Sequence, residues 1–376
     1  VSIPAGTLLH RIGYKRGIIA GLGIMGLGCL LFIPAASYRF FPLFLAGYFI
    51  LASGMTILQV AANPFVTVLG DEKGASSRLN LSQAFNSLGT TIAPIVGAVF
   101  ILSDHIKTTE EIAALSQEAR EVYYISEASA VQQPFLFLAL ALIALALVVV
   151  VSKLPGLMNT ESKTNYTQAL KDKKLKFGAI GIFLYVGAEV AIGSYAVNYF
   201  LDMNLNEVIQ TNDLMRFILA KFHSDINTID AKAVVATFLV FYWGGAMVGR
   251  FVGAVLTRIF HPNKVLSLFG LLAMAFVLIS MSTSGLVSMW ALLAVGFFNS
   301  IMFPTIFSLA IEDLGELKPE GSGILCTAIA GGAFIPPLYG FFTDMTGFKA
   351  AFILVLVCYG YVVLYGRKVP KLKGTI

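Results

Sequence analysis

Long apolar runs of about 18–28 residues recur along this chain, near 17–36, 42–69, 79–103, 133–152, 177–200, 233–257, 264–281, 286–311, 321–343 and 347–366. Each can cross a bilayer as a helix, where every backbone N–H and C=O is satisfied inside the segment. Strands of a membrane barrel would be about ten residues long and strictly alternating, and these runs are neither. Hydrophobic residues make up 57% of the chain and charged residues 12%, against about a quarter charged in a soluble domain; mean hydropathy is +0.81. The chain therefore reads as an all-α integral membrane protein with ten complete spans. Residue 1 is Val, and a basic turn follows with no complete apolar span before it. The expectation is a fragment that lacks its first helix and most of its second, leaving a remnant ahead of the ten.

Basic residues set the orientation. One set of loops holds 19 of the 26 lysines and arginines, with Arg250 and Arg258 counted among them. The positive-inside rule assigns that set, and the carboxyl end, to the cytoplasm. Segment 153–176 carries six lysines and divides the chain, with four complete spans before it and six after. The expected organisation is a helix bundle at 1–152, a cytoplasmic linker at 153–176 and a six-helix bundle at 177–376. Restoring two spans gives six plus six, the symmetric layout of a transporter built from two halves. Segments 104–132 and 201–231 are polar enough to be solvated, and their short helical pieces read as surface decoration.

Several function classes drop out here. The net charge of +5 lies in loops on one side and does not point to nucleic acid. Cys29, Cys326 and Cys358 are far apart inside apolar runs, and the four histidines sit in loops, so no metal or nucleophile constellation forms and no cofactor is implied. Glycines 21, 23, 26 and 28 have the spacing of a nucleotide loop but lie in an apolar run without a strand or P-loop lysine, which makes close packing the better reading. A membrane-embedded enzyme acting on lipids or polyprenyl sugars needs clustered acids, histidines or a metal pair, and none is visible.

The polar residues inside the spans carry the chemistry. Residues 57–94 hold Gln59 and Asn63 on one apolar segment and Asn80, Gln83 and Asn86 on the next. Amides in hydrocarbon cost free energy unless they pair or line a wet cavity, so five of them on neighbouring helices point to a polar site suited to a hydroxyl-rich solute such as a sugar. Gln59 and Asn63 are four apart and Gln83 and Asn86 three apart, so each pair shares a helix face. Asn80 lies further round and can cap or bridge helices; for Asn63, backbone repair beside Pro64 competes with sugar binding. Glu189 has no other acid or base within twelve residues on either side. An ionisable group at mid-membrane depth is a functional-site candidate, here for substrate binding or ion coupling, with an interhelical hydrogen bond as the structural alternative. Tyr185 and Gly193 share its face. Asn299 is the amide of span 286–311 and a further cavity candidate, while Tyr242 and Trp243 could stack on a sugar ring or simply pack.

The turn Gly6-Thr7-Leu8-Leu9-His10-Arg11-Ile12-Gly13-Tyr14-Lys15-Arg16 resembles the loop signature of the major facilitator superfamily, with a fainter echo at Gly249-Arg250, Thr257-Arg258 and Lys264. AANPFVTVLG (61–70), SRLNLSQAFNSLG (77–89), FLYVGAEVAIGSYAVNYF (183–200) and FPTIFSLAIEDLG (303–315) look like the fucose/glucose–galactose permease branch of that superfamily. The resemblance implies a major facilitator fold of two six-helix halves. It also implies a sugar cavity lined by Gln59, Asn63, Gln83 and Asn86, and a gating loop carried by Gly6, Arg11, Gly13 and Arg16. His10 replaces the usual acid of that loop. Fucose-type members carry a glutamate where this chain has Gln59, so proton coupling is not transferred to position 59 and passes to Glu189.

The implied activity is import of a glucose- or galactose-type hexose across the inner membrane by alternating access, coupled to protons. A fucose or other deoxyhexose permease, a sodium-coupled carrier and a non-transporting sugar sensor are the alternatives. The expected partners are the sugar, the proton or sodium, and the lipid bilayer around a multi-pass monomer.

Overall fold

A computed structural model describes residues 1–100, 109–156, 164–223, 226 and 229–371. Every regular element among them is helical. Nine helices among them are long and apolar enough to cross a membrane. Helix Ala75–Phe100 adds one of spanning length, and the rest of the expected run to 103 lies outside the described residues. Contacts divide the chain into two compact units: Val1–Phe65 with Ile92–Thr164, and Val66–Thr91 with Asn165–Ile376.

In the first unit, α1 (Ser2–Ser37) meets α2 (Phe41–Val68), and the later part of α3 (Ala75–Phe100) is followed by α4 (Thr109–Ala114), α5 (Gln117–Ala130) and α6 (Gln132–Val151). The basic turn expected over residues 6–16 contracts to one residue. Gly13 leaves helical geometry at φ 78°, ψ 166°, a region that costs other residues Cβ strain, while Gly6, Arg11 and Arg16 are helical on either side of it. Of the four apolar glycines, Gly21, Gly26 and Gly28 behave as packing residues, whereas a Cβ at Gly23 would meet nothing within 4 Å. A Cβ at Gly21 or Gly28 would run into the backbone of Leu58 or Leu51, and one at Gly54 into the backbone of Met25 and Gly21. Close helix approach of this kind needs small side chains. The Lys15 ammonium donates to the carbonyls of Val150 (2.9 Å) and Ser152 (2.8 Å) at the end of α6, which suits a cation at a helix C-terminus.

The second unit begins with a reversal. Arg78 donates to the carbonyls of Val66 (3.2 Å), Thr67 (2.8 Å) and Asp71 (2.8 Å), which closes the end of α2 and sets the start of α3. After α7 (Tyr166–Ala169) come α8 (Lys173–Asp202), α9 (Leu205–Thr211), α10 (Asp213–Leu219), α11 (Ala231–Thr237), α12 (Leu239–Ile259), α13 (Pro262–Ser282), α14 (Gly285–Asn299), α15 (Met302–Ile311), α16 (Lys318–Ala328), α17 (Gly331–Thr346) and α18 (Phe348–Lys368). Three spans are interrupted: at Phe238, at Ser300–Ile301 and at Ile329–Ala330. The core closes with Tyr199, whose ring meets Phe352 edge-on at 5.2 Å and whose hydroxyl bonds Ser288 at 2.8 Å.

Two expectations need correction. Segment 201–231 does not merely decorate the surface: Leu205, Ile209, Met215 and Leu219 of α9 and α10 are fully buried, because both helices are amphipathic and dock their apolar faces. Arg250 is not a loop residue either. It lies inside α12, nine residues before that helix ends at Ile259, held there by the hydrogen bonds described below.

Candidate functional site

In the first unit, Gln59 and Asn63 lie one turn apart on α2, half-buried and buried respectively. In the same unit, Arg11 and Arg16 are exposed on either side of Gly13, and Gly6 is buried. The other candidates lie in the second unit. On α3, Asn86 donates to the Gln83 side-chain oxygen at 3.2 Å, so the two amides expected to share a face do so. Asn80 bridges helices, donating to the Ser76 carbonyl (2.8 Å) and to the Thr305 hydroxyl (3.2 Å).

Glu189 is the hub of a polar cluster built from four helices. Tyr185, one turn earlier on α8, donates its hydroxyl to Glu189 Oε2 at 2.8 Å. Tyr242 of α12 donates to the Glu189 backbone carbonyl at 3.3 Å and accepts from Asn299 Nδ2 at 2.7 Å. Tyr359 of α18 is fully buried, as are Tyr185 and Asn299. Three sealed polar atoms of this cluster make no close hydrogen bond: Glu189 Oε1, Asn299 Oδ1 and the Tyr359 hydroxyl, the last of which faces the Asn299 side chain. Buried polar atoms are normally paired. Three orphans together, two acceptors and one hydroxyl able to donate or accept, match what a sugar hydroxyl or a proton offers.

The chain geometry explains how these groups meet. Gly249 and Gly296 sit where a Cβ would strike backbone, that of Phe297 for Gly249 and that of Tyr242 for Gly296. This brings α12 and α14 into backbone contact and sets Tyr242 beside Asn299. Asn299 is the last residue of α14, at the point where the span breaks. Discontinuous helices are a recurrent way for transporters to free polar groups near mid-membrane. Trp243 packs against Gly193 and meets the Tyr242 ring edge-on at 5.0 Å.

Arg250 was missed as a site residue. Its Nε donates to the Ser300 carbonyl at 3.1 Å, and Nη1 donates to the Gln83 carbonyl at 3.4 Å and to the Ser87 hydroxyl. A charged residue in an apolar run looks like the end of a span; only the length of apolar sequence after it, through Val255 and Leu256, signals otherwise. A cavity of about 430 Å³ also opens in this unit, lined by Lys73, Ser76, Arg258, His261, Glu312 and Lys318. It contains none of the candidate amides and not Glu189, so its chemistry is that of the basic helix ends.

The glucose/galactose transporter of Brucella abortus (strain 9-941) is 45% identical over 375 residues, covering 97% of this chain and 81% of that protein. The L-fucose-proton symporter of Escherichia coli (strain K12) is 34% identical over 381 residues, covering 98% and 81%. A crystal structure of the transporter FucP in the outward conformation matches with a TM-score of 0.86 and 33% identity, over 98% of this chain and 86% of that one. The sequence profile of the Major Facilitator Superfamily spans residues 1–329, and the chain is a member of that family, a carrier rather than an enzyme.

Proposed function

We propose that this protein is a proton-coupled hexose importer of the glucose/galactose type, working as a monomer in the inner membrane. Its halves, 1–152 and 177–376, would alternate access to a midplane site, with 153–176 as the cytoplasmic linker. Gln59, Asn63, Gln83, Asn86 and Asn299 contact sugar hydroxyls in this reading. Glu189 binds both substrate and the coupling proton, and Gly6, Arg11, Gly13 and Arg16 serve the gate around the Gly13 break. The observation that carries the proposal is the Glu189 cluster: a carboxyl inside a span, satisfied at one oxygen and orphaned at the other. The 45% identity to a glucose/galactose transporter, against 34% to an L-fucose-proton symporter, supports the hexose over the deoxyhexose.

Sugar counterflow by the complete protein in liposomes tests this. Preloaded galactose or glucose should draw in labelled hexose, and an imposed inward proton gradient should drive accumulation. Glu189→Gln keeps the side chain's shape but cannot cycle a proton, so it should exchange sugar without accumulating it. Exchange confined to fucose moves the substrate to the deoxyhexoses, and accumulation that follows sodium replaces the proton. Gradient-driven accumulation that survives Glu189→Gln removes the coupling role.

A further inference from the structure

We propose that α10 is a membrane-surface anchor whose groove against the α13–α14 hairpin holds one phospholipid, with an acyl chain in the groove and the phosphate on Arg216 and Lys221. α8 leaves the cytoplasmic linker at Lys173, so α9 and α10, which follow its far end, stand on the opposite face of the membrane. α10 has three sides. Met215 and Leu219 are buried in the protein. At about 100° per residue, Leu214, Phe217 and the half-buried Ile218 make a second, apolar side, on which Leu214 is 63% and Phe217 61% exposed. Asp213 and Arg216 make the third and are exposed. A helix docked on one side, apolar on the next and charged on the last suits the plane of a membrane interface. Its ends are fixed: the Asn212 side chain accepts from the Met215 amide at 3.1 Å, and His223 Nε2 bonds the Thr237 hydroxyl at 2.8 Å.

The groove beside the apolar side has a volume of about 570 Å³. Leu214 and Met215 form one wall. Phe276 and Ile279 near the end of α13, with Val287 and Trp290 near the start of α14, form the other. α13 ends at Ser282 and α14 begins at Gly285, so these side chains stand within about 10 Å of the span ends, where acyl chains meet headgroups. The groove is also continuous with the surface that the spans offer to the bilayer, because Leu278, Ile279 and Val287 are exposed. Charge selects the headgroup. The Lys221 ammonium lies 4.9 Å from the centre of the Phe217 ring, which keeps a cation at the edge of the apolar side. Arg216 is exposed one position before that ring. Neither cation forms an ion pair among the described residues. Two free cations beside exposed apolar surface complement a phosphodiester that carries acyl chains.

Tryptophan quenching tests this without any sugar. The protein has two tryptophans, and of these Trp290 lines the groove, so Trp243→Phe leaves a single fluorophore there. Phosphatidylglycerol with brominated acyl chains, which quench tryptophan on contact, is titrated into the complete protein in maltoside detergent. Half of the quenching should be reached at a few lipids per protein. Quenching that only follows the mole fraction of lipid in the micelle is loose mixing and overturns the site. Brominated diacylglycerol has the same chains without the phosphate and should need about 30-fold more, as should phosphatidylglycerol with the Arg216→Gln/Lys221→Gln variant. Equal titrations remove the phosphate contact and the proposal with it. Leu214→Asn keeps both cations and should weaken quenching about ten-fold; an unchanged curve puts the acyl chain elsewhere. Thermal midpoints without lipid should stay within about 2 °C of the parent in each variant, as expected for surface positions. A larger fall makes these side chains part of the fold instead of the anchor. A lipid-free dimer whose Trp290 is shielded from brominated lipid replaces the phospholipid with a second copy of the chain.

Discussion

Two polar regions of the second unit solve the same problem in opposite ways. Near the start of α3, hydroxyls and an amide make a seam: Ser76 with Ser308 at 2.5 Å, Ser77 with the Ala254 carbonyl at 2.6 Å, and Asn80 with Thr305 at 3.2 Å. Apart from one Asn80 oxygen, these groups have partners within the protein. Around Glu189, three of the buried polar atoms make no close hydrogen bond. Both regions are buried and rich in hydrogen-bonding groups, so polarity alone does not separate them. Satisfaction does. A filled set of bonds holds helices together, whereas a set left open by a fixed scaffold has bonding capacity to offer a ligand.

That contrast can be broken or sharpened by substitution. The largest effect should come from the scaffold that keeps the open set in place. Gly249→Leu drives a side chain into the Phe297 backbone and Ser300 and should cost more than about 3 kcal/mol, seen as loss of monodisperse protein on size exclusion. A well-behaved Gly249→Leu protein would show that the α12–α14 contact does not govern the site. Asn299→Ala comes next. It removes an amide with one bond to Tyr242 and one free oxygen, and should weaken the half-saturating hexose concentration in counterflow about ten-fold, the worth of one to two hydrogen bonds.

Tyr359→Phe is the sharper test. Deleting a hydroxyl that makes no close hydrogen bond and faces the Asn299 side chain should lower thermal stability by no more than about 1 kcal/mol while weakening hexose affinity about three-fold. A drop in stability without a change in affinity would assign that hydroxyl to the scaffold. The smallest effect belongs to the seam. Ser76→Ala should lower stability by about 0.5–1.5 kcal/mol with sugar affinity nearly untouched, measured by unfolding and counterflow on the same preparation.

Much of this was legible in the sequence, and the exceptions have physical causes. Helices read correctly because a bilayer leaves the backbone few options, and the α3 pair Gln83–Asn86 followed from helical spacing. Glu189 stood out because an isolated acid in an apolar run is costly. Arg250 did not, since basic residues also mark span ends, and its position inside α12 depends on bonds to Ser300, Gln83 and Ser87 that are distant in sequence. The break at Ser300–Ile301 was within reach, because Pro304 has no N–H to give the Ser300 carbonyl four residues back. The orphaned atoms were out of reach entirely, because whether an amide is satisfied depends on where its neighbours stop.

The hold of Lys15 on the last carbonyls of α6 has a bearing on how the protein is made. Its partners at Val150 and Ser152 follow it by 135 and 137 residues. At an elongation rate of about 5–20 residues per second the ribosome needs on the order of ten seconds to produce that stretch. During that interval α1 and then α2 enter the membrane while the ammonium of Lys15 has only water and lipid phosphate to lean on. The first bundle can therefore lock only when its last helix emerges, which makes α6 the closing step of its biogenesis and the stretch before it a natural window for insertion factors to act.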